Sequence, residues 1–124
     1  MGEGKGYIRN TDEKGSINIS EEVIAVIAGV AAIDVDGVYG LFVSHGKELT
    51  SMIGRKGLAK GIKLQTDEDG VSIDVSVLVE MGYSVSQVGE DIQRGVASAV
   101  ESAVGVTVSA VNVNICGVSL KKKK

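Results

Sequence analysis

From Val71 to Glu80 apolar and polar residues alternate. Val71, Ile73, Val75, Val77 and Val79 take one side, and Ser72, Asp74, Ser76 and Glu80 most of the other. A period of two is that of a β-strand with one face on a core and one toward water. Asp69-Gly70, just before it, is a hairpin signal. The stretch 61–66 alternates as well, Ile62 and Leu64 against Lys63 and Gln65, so the two runs read as a hairpin. Ser16–Ile19 reads as a short strand and Val38–Val43 as another. A last strand covers Val106 to about Ile115. Its apolar phase switches from Val106 and Val108 to Val111, Val113 and Ile115, which predicts a bulge near Ser109-Ala110.

Between these runs the period changes. After Ser84, the residues Val85, Val88, Ile92, Val96, Ala99, Val100 and Ala103 form one stripe, with Glu90, Arg94, Ala97 and Glu101 opposite it. This is an amphipathic helix. Ser84 with Gln87 makes a capping box, Tyr83 with Val88 a hydrophobic staple, Glu90 with Arg94 a favourable pair, and Gly105 the terminating glycine. An earlier helix runs from the cap Ser20 to about Ile33, with Glu21 and Glu22 in its first turn and Ile19 stapled to Ile24. Glu48–Ile53 suits one or two amphipathic turns with Leu49, Met52 and Ile53 inward. The order is β-α-β-(short α)-β-β-α-β. Two long helices cover one face of a sheet, so the fold class is α+β: a two-layer α/β sandwich with both long helices on one face of a mixed sheet. The direction of the last strand stays open. Residues 1–14 read as a flexible arm, 15–119 as one domain and 120–124 as a Lys-rich tail.

Composition narrows the chemistry. The 124 residues include one His, one Cys, three Tyr, one Phe, and no Trp or Pro. The core must come from Val, Ile, Ala and Leu. His45, read in a loop, has no acid or nucleophile near it in sequence, and His45 with Cys116 would still lack two ligands for structural zinc. Cys116, at the end of the last strand and close to the terminal lysines, reads as an unreactive thiol. The turns Asp34–Gly37 and Asp67–Gly70 resemble the centre of a calcium loop. The outer ligand positions, however, fall on Ala32 and Val43 in one and on Gln65 and Ser76 in the other. No phosphate-binding glycine loop occurs. We therefore expect no enzyme, no cofactor, no metal and no small-molecule substrate. An enzyme would need carboxylates such as Asp74 or Glu80 enclosed in a pocket. A lone Cys precludes an internal disulfide and suits a reducing compartment. No apolar run approaches the roughly 18 residues of a membrane span, and Met1–Gly6 is too polar for a secretory signal.

Two surfaces stand out. The net charge is −3, yet Gly54-Arg55-Lys56-Gly57 with Lys60 and Lys63 forms a local basic cluster. A Gly-x-x-Gly loop with basic centre residues grips nucleic acid in KH domains, but there it joins two helices, and here a strand pattern follows at once. Arg55, Lys56, Lys60 and Lys63 are the basic contact of the nucleic-acid alternative. The first helix is apolar all round: Val23, Ile24, Val26, Ile27 and Val30 on one side, Ala25, Ala28, Gly29 and Ala32 on the other, with no charge after Glu22. A helix of this kind is normally covered on both sides. The larger residues are expected to face the core, leaving Ala25, Gly29 and Ala32 to pack against a second copy or another partner.

The order and spacing of several segments resemble the alkaline shock protein family of bacterial envelope-stress proteins. They are Ile17-Asn18-Ile19-Ser20-Glu21-Glu22-Val23-Ile24, Ile27-Ala28-Gly29, Asp36-Gly37-Val38, Gly54-Arg55-Lys56, Lys60-Gly61, Val71-Ser72-Ile73-Asp74-Val75 and Val111-Asn112-Val113-Asn114-Ile115. Members often carry Pro where this chain has Ser86, and the lysine tail is a second departure. The resemblance implies a non-enzymatic cytoplasmic protein of Gram-positive-type bacteria. Such a protein would sit at the inner face of the membrane through a membrane-embedded partner, self-assemble as a homo-oligomer, and be linked to envelope or alkaline stress.

Overall fold

The structure, a computed structural model, describes residues 7–12, 14–45, 48–53 and 61–120. The chain order is β1 (Tyr7–Asp12), β2 (Gly15–Ser20), α1 (Glu21–Ile33), β3 (Val38–His45), β4 (Glu48–Ile53), β5 (Ile62–Asp67), β6 (Gly70–Glu80), α2 (Val85–Val104) and β7 (Val108–Ser119). It is α+β, with both helices against a mixed five-stranded sheet and a separate two-stranded hairpin.

Three local readings change. Tyr7–Asp12 lies within the segment expected to be a flexible arm, but it forms β1, antiparallel to β2 with Tyr7 opposite Ser20 and Asp12 opposite Gly15. Glycine and charge dominate the composition of the first fourteen residues, and they hide a β-prone stretch that pairs with its neighbour β2. Glu48–Ile53 is a strand, not a short helix. It pairs antiparallel with β3, Leu41 opposite Ile53 and Phe42 opposite Met52. Six residues are too few to hold a helix without tertiary help, and an available sheet edge offers every second backbone group a partner. His45 accordingly closes β3, its backbone opposite Glu48.

β6 organises the sheet. β7 runs parallel along one of its edges, from Val71 opposite Val108 to Glu80 opposite Ser119. Its other edge is shared end to end by two antiparallel strands: β5 beside Gly70–Val75 and β3 beside Val77–Val79. Gly61 lies where those two meet, and a Cβ there would stand 3.0 Å from the Leu41 Cβ. The register of β7 shifts at Ser109, where the phase change in the sequence foretold a bulge, and again at Cys116.

Both caps form as the sequence implies. Ser20 Oγ accepts from Val23 N–H and Ser84 Oγ from Gln87 N–H, and Gly105 ends α2 in the left-handed region at φ 76°. Arg94 pairs with Asp91 rather than with Glu90. The core joins Ile24, Ala28 and Ala32 of α1, Val88, Ile92, Val96 and Val100 of α2, and the odd-numbered residues of β6 from Val71 to Val79. Each fully buried Val or Ile contributes about 1.5–3 kcal/mol by leaving water. Gly37, at φ +97°, fits the turn into β3 where a Cβ would come within 2.7 Å of Val88 Cγ2.

Candidate interaction surfaces

The first helix presents the opposite side to that expected. Ala25 and Ala32 are 6% and 0% exposed, and Gly29 is buried with them, while Val23, Val26 and Val30 are 48%, 39% and 44% exposed. Ala25, Gly29 and Ala32 therefore belong to the chain's own core and are not available to a second copy. In a helix apolar all round, periodicity marks no outward side, so fit decides. The small side chains let α1 lie close to its neighbours, and Ile24 fills what space remains. The three valines, spaced by three and four residues, form one line along the outer surface. A shallow depression of about 320 Å³ runs beside them, lined by Ser20, Glu22, Val23, Val26 and Ile27.

A second, broader depression of about 550 Å³ lies between the start of α1 and β5, lined by Glu21, Glu22, Ala25, Ile62, Lys63, Leu64, Gln65 and Asp74. Lys63 is exposed and stands opposite Asp74 in the ladder. Arg55, Lys56 and Lys60 lie outside the described residues. The one placed member of the basic group thus shares its surroundings with three carboxylates.

The sheet face away from the helices carries a polar ladder. Asn112 Nδ2 donates to Asp74 Oδ1 at 2.8 Å, and Asn114 Nδ2 to Ser76 Oγ at 3.4 Å. Cys116 is exposed at the second bulge of β7, its Sγ 3.8 Å from the Asn114 carbonyl oxygen. Among the described residues no three His, Cys, Asp or Glu side chains gather as a metal site would require. Sequence reasoning did not single out Gln93 and Glu101. Gln93 Nε2 donates to the Val111 carbonyl at 3.1 Å, and a Glu101 carboxylate oxygen accepts from Val108 N–H at 2.9 Å. Their only signal in the sequence was a place on the polar side of α2.

These features define a two-layer α+β domain that displays an apolar helix face and a hydrogen-bonded sheet face. A family model covering residues 9–120 matches it, and the chain belongs to that family, the alkaline shock (Gls24-type) family, described by a cell envelope-related function. Among similar proteins, the uncharacterized protein Spy1535 of Streptococcus pyogenes is 39% identical over 113 residues, 90% of this chain and 85% of that one. YqhY of Bacillus subtilis, also uncharacterized, is 30% identical over 88% of this chain and 81% of its own. A stress response regulator gls24 homolog of Streptococcus pyogenes is 23% identical over 94% of this chain and 69% of its own. Among the described residues no helix is long and apolar enough to cross a membrane.

Proposed function

We propose that this chain is a non-enzymatic interaction module in a cell-envelope stress response. It works at the cytoplasmic face of the membrane, self-assembles, and docks through the outer face of α1 onto a membrane-embedded protein partner. The observation that carries this reading is the line of Val23, Val26 and Val30, exposed on a helix with no charge beyond Glu22. Contiguous exposed apolar side chains rimmed by polar ones mark a contact surface. Glu21, Glu22 and the cap Ser20 border the line at one end. The family's cell envelope-related function and the stress-regulator name of a relative agree with such a role. The nucleic-acid alternative draws no support from the placed residues, because Lys63 stands among Glu21, Glu22 and Asp74.

The test is membrane co-sedimentation of the full chain from its native cells, compared with the double variant Val26→Lys, Val30→Lys. The wild-type chain should pellet with membranes and stay there in high salt, since apolar contacts are not screened. The variant should move to the supernatant with an unchanged circular dichroism spectrum. Equal pelleting of both chains would remove α1 from the docking role.

A further inference from the structure

The five-stranded sheet has three strands with an unpaired edge among the described residues: β4, β5 and β7. Glu48 lies on the first, and Lys63 and Asp67 on the second, whereas the twelve residues of β7 include no charge and no proline. Charges and prolines are the usual devices that stop an edge from recruiting another strand.

The ladder shows which backbone groups of β7 face outward. Val71 N–H donates to the Thr107 carbonyl at one end, and Met81 N–H to the Ser119 carbonyl at the other, both at 2.9 Å. The register shifts at Ser109 and at Cys116. Alternation between these points turns the backbones of Asn112 and Asn114 toward β6, and those of Val111, Val113 and Ile115 away from it. The bonds from α2 agree, because Gln93 and Glu101 reach the Val111 carbonyl and the Val108 N–H, both on the outer side. α2 thus guards the start of the edge. Past Val111 the guard ends, and Val113 and Ile115 remain only half-buried beneath it.

We propose that β7 pairs antiparallel with β7 of a second copy, about a two-fold axis at Val113, merging the two sheets into one. This deepens the self-assembly part of the proposed function by naming its surface. A second copy fits because the strand is complementary to itself. Pairing about Val113 sets Asn112 opposite Asn114 and Val111 opposite Ile115, in both directions. Amides then meet amides on the open face, and apolar side chains meet apolar side chains on the helix side. The bulges at Ser109 and Cys116 bracket a regular window, 110–115, centred within a residue of that axis. With no charge in the strand, no like charges meet across the axis. Val113 would exchange both of its outward backbone bonds with its counterpart, and the half-exposed Val113 and Ile115 would be covered.

The experiment is light scattering after size exclusion on the full chain, with two variants beside it. Val113→Pro removes an N–H that points away from β6, a change an edge strand tolerates. Wild type should run as a dimer in low and high salt. Val113→Pro should run at half that mass with its circular dichroism retained, and Val26→Lys, Val30→Lys should remain a dimer. The register is read separately. Asn112→Cys with Asn114→Cys, in a Cys116→Ser background, should give a covalent dimer on mild oxidation, because directly opposite residues of a non-hydrogen-bonded pair lie about 4.5 Å apart at Cα, within disulfide range. If Val113→Pro fails to fold, this cross-link decides alone. A monomeric wild type, a Val113→Pro dimer, or the absence of cross-linking would each overturn the proposal. A dimer lost only in the Val26→Lys, Val30→Lys variant would place self-assembly on α1 instead. Loss of membrane co-sedimentation with the β7 dimer intact would touch the docking of α1 and leave this pairing standing.

Discussion

The two helices begin alike, each capped by a serine hydroxyl that accepts from the N–H three residues on. They differ in what they show to water. α2 segregates its residues: Val88, Ile92, Val96 and Val100 are buried, and Glu90, Gln93, Arg94 and Glu101 are exposed. α1 does not, and it turns Ala25, Ala28 and Ala32 inward and Val23, Val26 and Val30 outward. An amphipathic pattern specifies a helix's rotation by itself. A uniformly apolar helix takes its rotation from packing and leaves large apolar side chains on the surface. The polar side of α2 has a structural use of its own, because Gln93 and Glu101 satisfy backbone groups at the edge of β7. Among the described residues, no side chain on the outer side of α1 has such a use, and Val23, Val26 and Val30 stand exposed there.

This contrast makes graded demands on substitution. A charge on the small side of α1, as in Ala32→Lys, should unfold the domain, since it buries an unpaired ammonium at a position with no exposure. Thermal denaturation would show no cooperative transition. The same charge at Val26 should alter stability by about 0.5 kcal/mol or less, and comparable losses at the two sites would mean that the rotation of α1 is wrong. In α2, Ile92→Ala should cost about 2–5 kcal/mol in urea unfolding, because the side chain is fully enclosed. Gly37→Ala should cost about 1–3 kcal/mol, from a left-handed backbone and a contact with Val88 that must open. Ser84→Ala should lose about 1 kcal/mol with the cap. Gln93→Ala should cost about 0.5–1.5 kcal/mol on unfolding, from one lost hydrogen bond to a backbone carbonyl. By uncovering the Val111 carbonyl it should also tighten self-association, measured as a lower dissociation constant in analytical ultracentrifugation.

Where burial was one-sided, the sequence was legible. The alternation of β6, the stripe of α2, both serine caps, the turn at Asp69-Gly70 and the first bulge of β7 all appear where pattern placed them, because a buried face imposes its period on the residues that fill it. Three things were hidden. β1 and β4 arise from pairing with β2 and β3, and pairing between backbones leaves little trace in side-chain type. The rotation of α1 was hidden because its residues are apolar on every side. The guarding roles of Gln93 and Glu101 depend on two elements meeting, which no local window of sequence contains. Of the basic group, only Lys63 has a described position.

One strand decides how this molecule comes apart. β6 is hydrogen-bonded along both edges, and β3, β5 and β7 all attach to it. β7 joins it only after the chain has travelled through α2, so the largest loop in this part of the chain closes on the same strand that the short turn at Asp69 began. Opening β6 therefore means losing three partners together. Its amides should be the last to exchange with solvent, and the five-stranded sheet should melt as one cooperative unit, while the β1–β2 hairpin, attached through α1, is free to open before it.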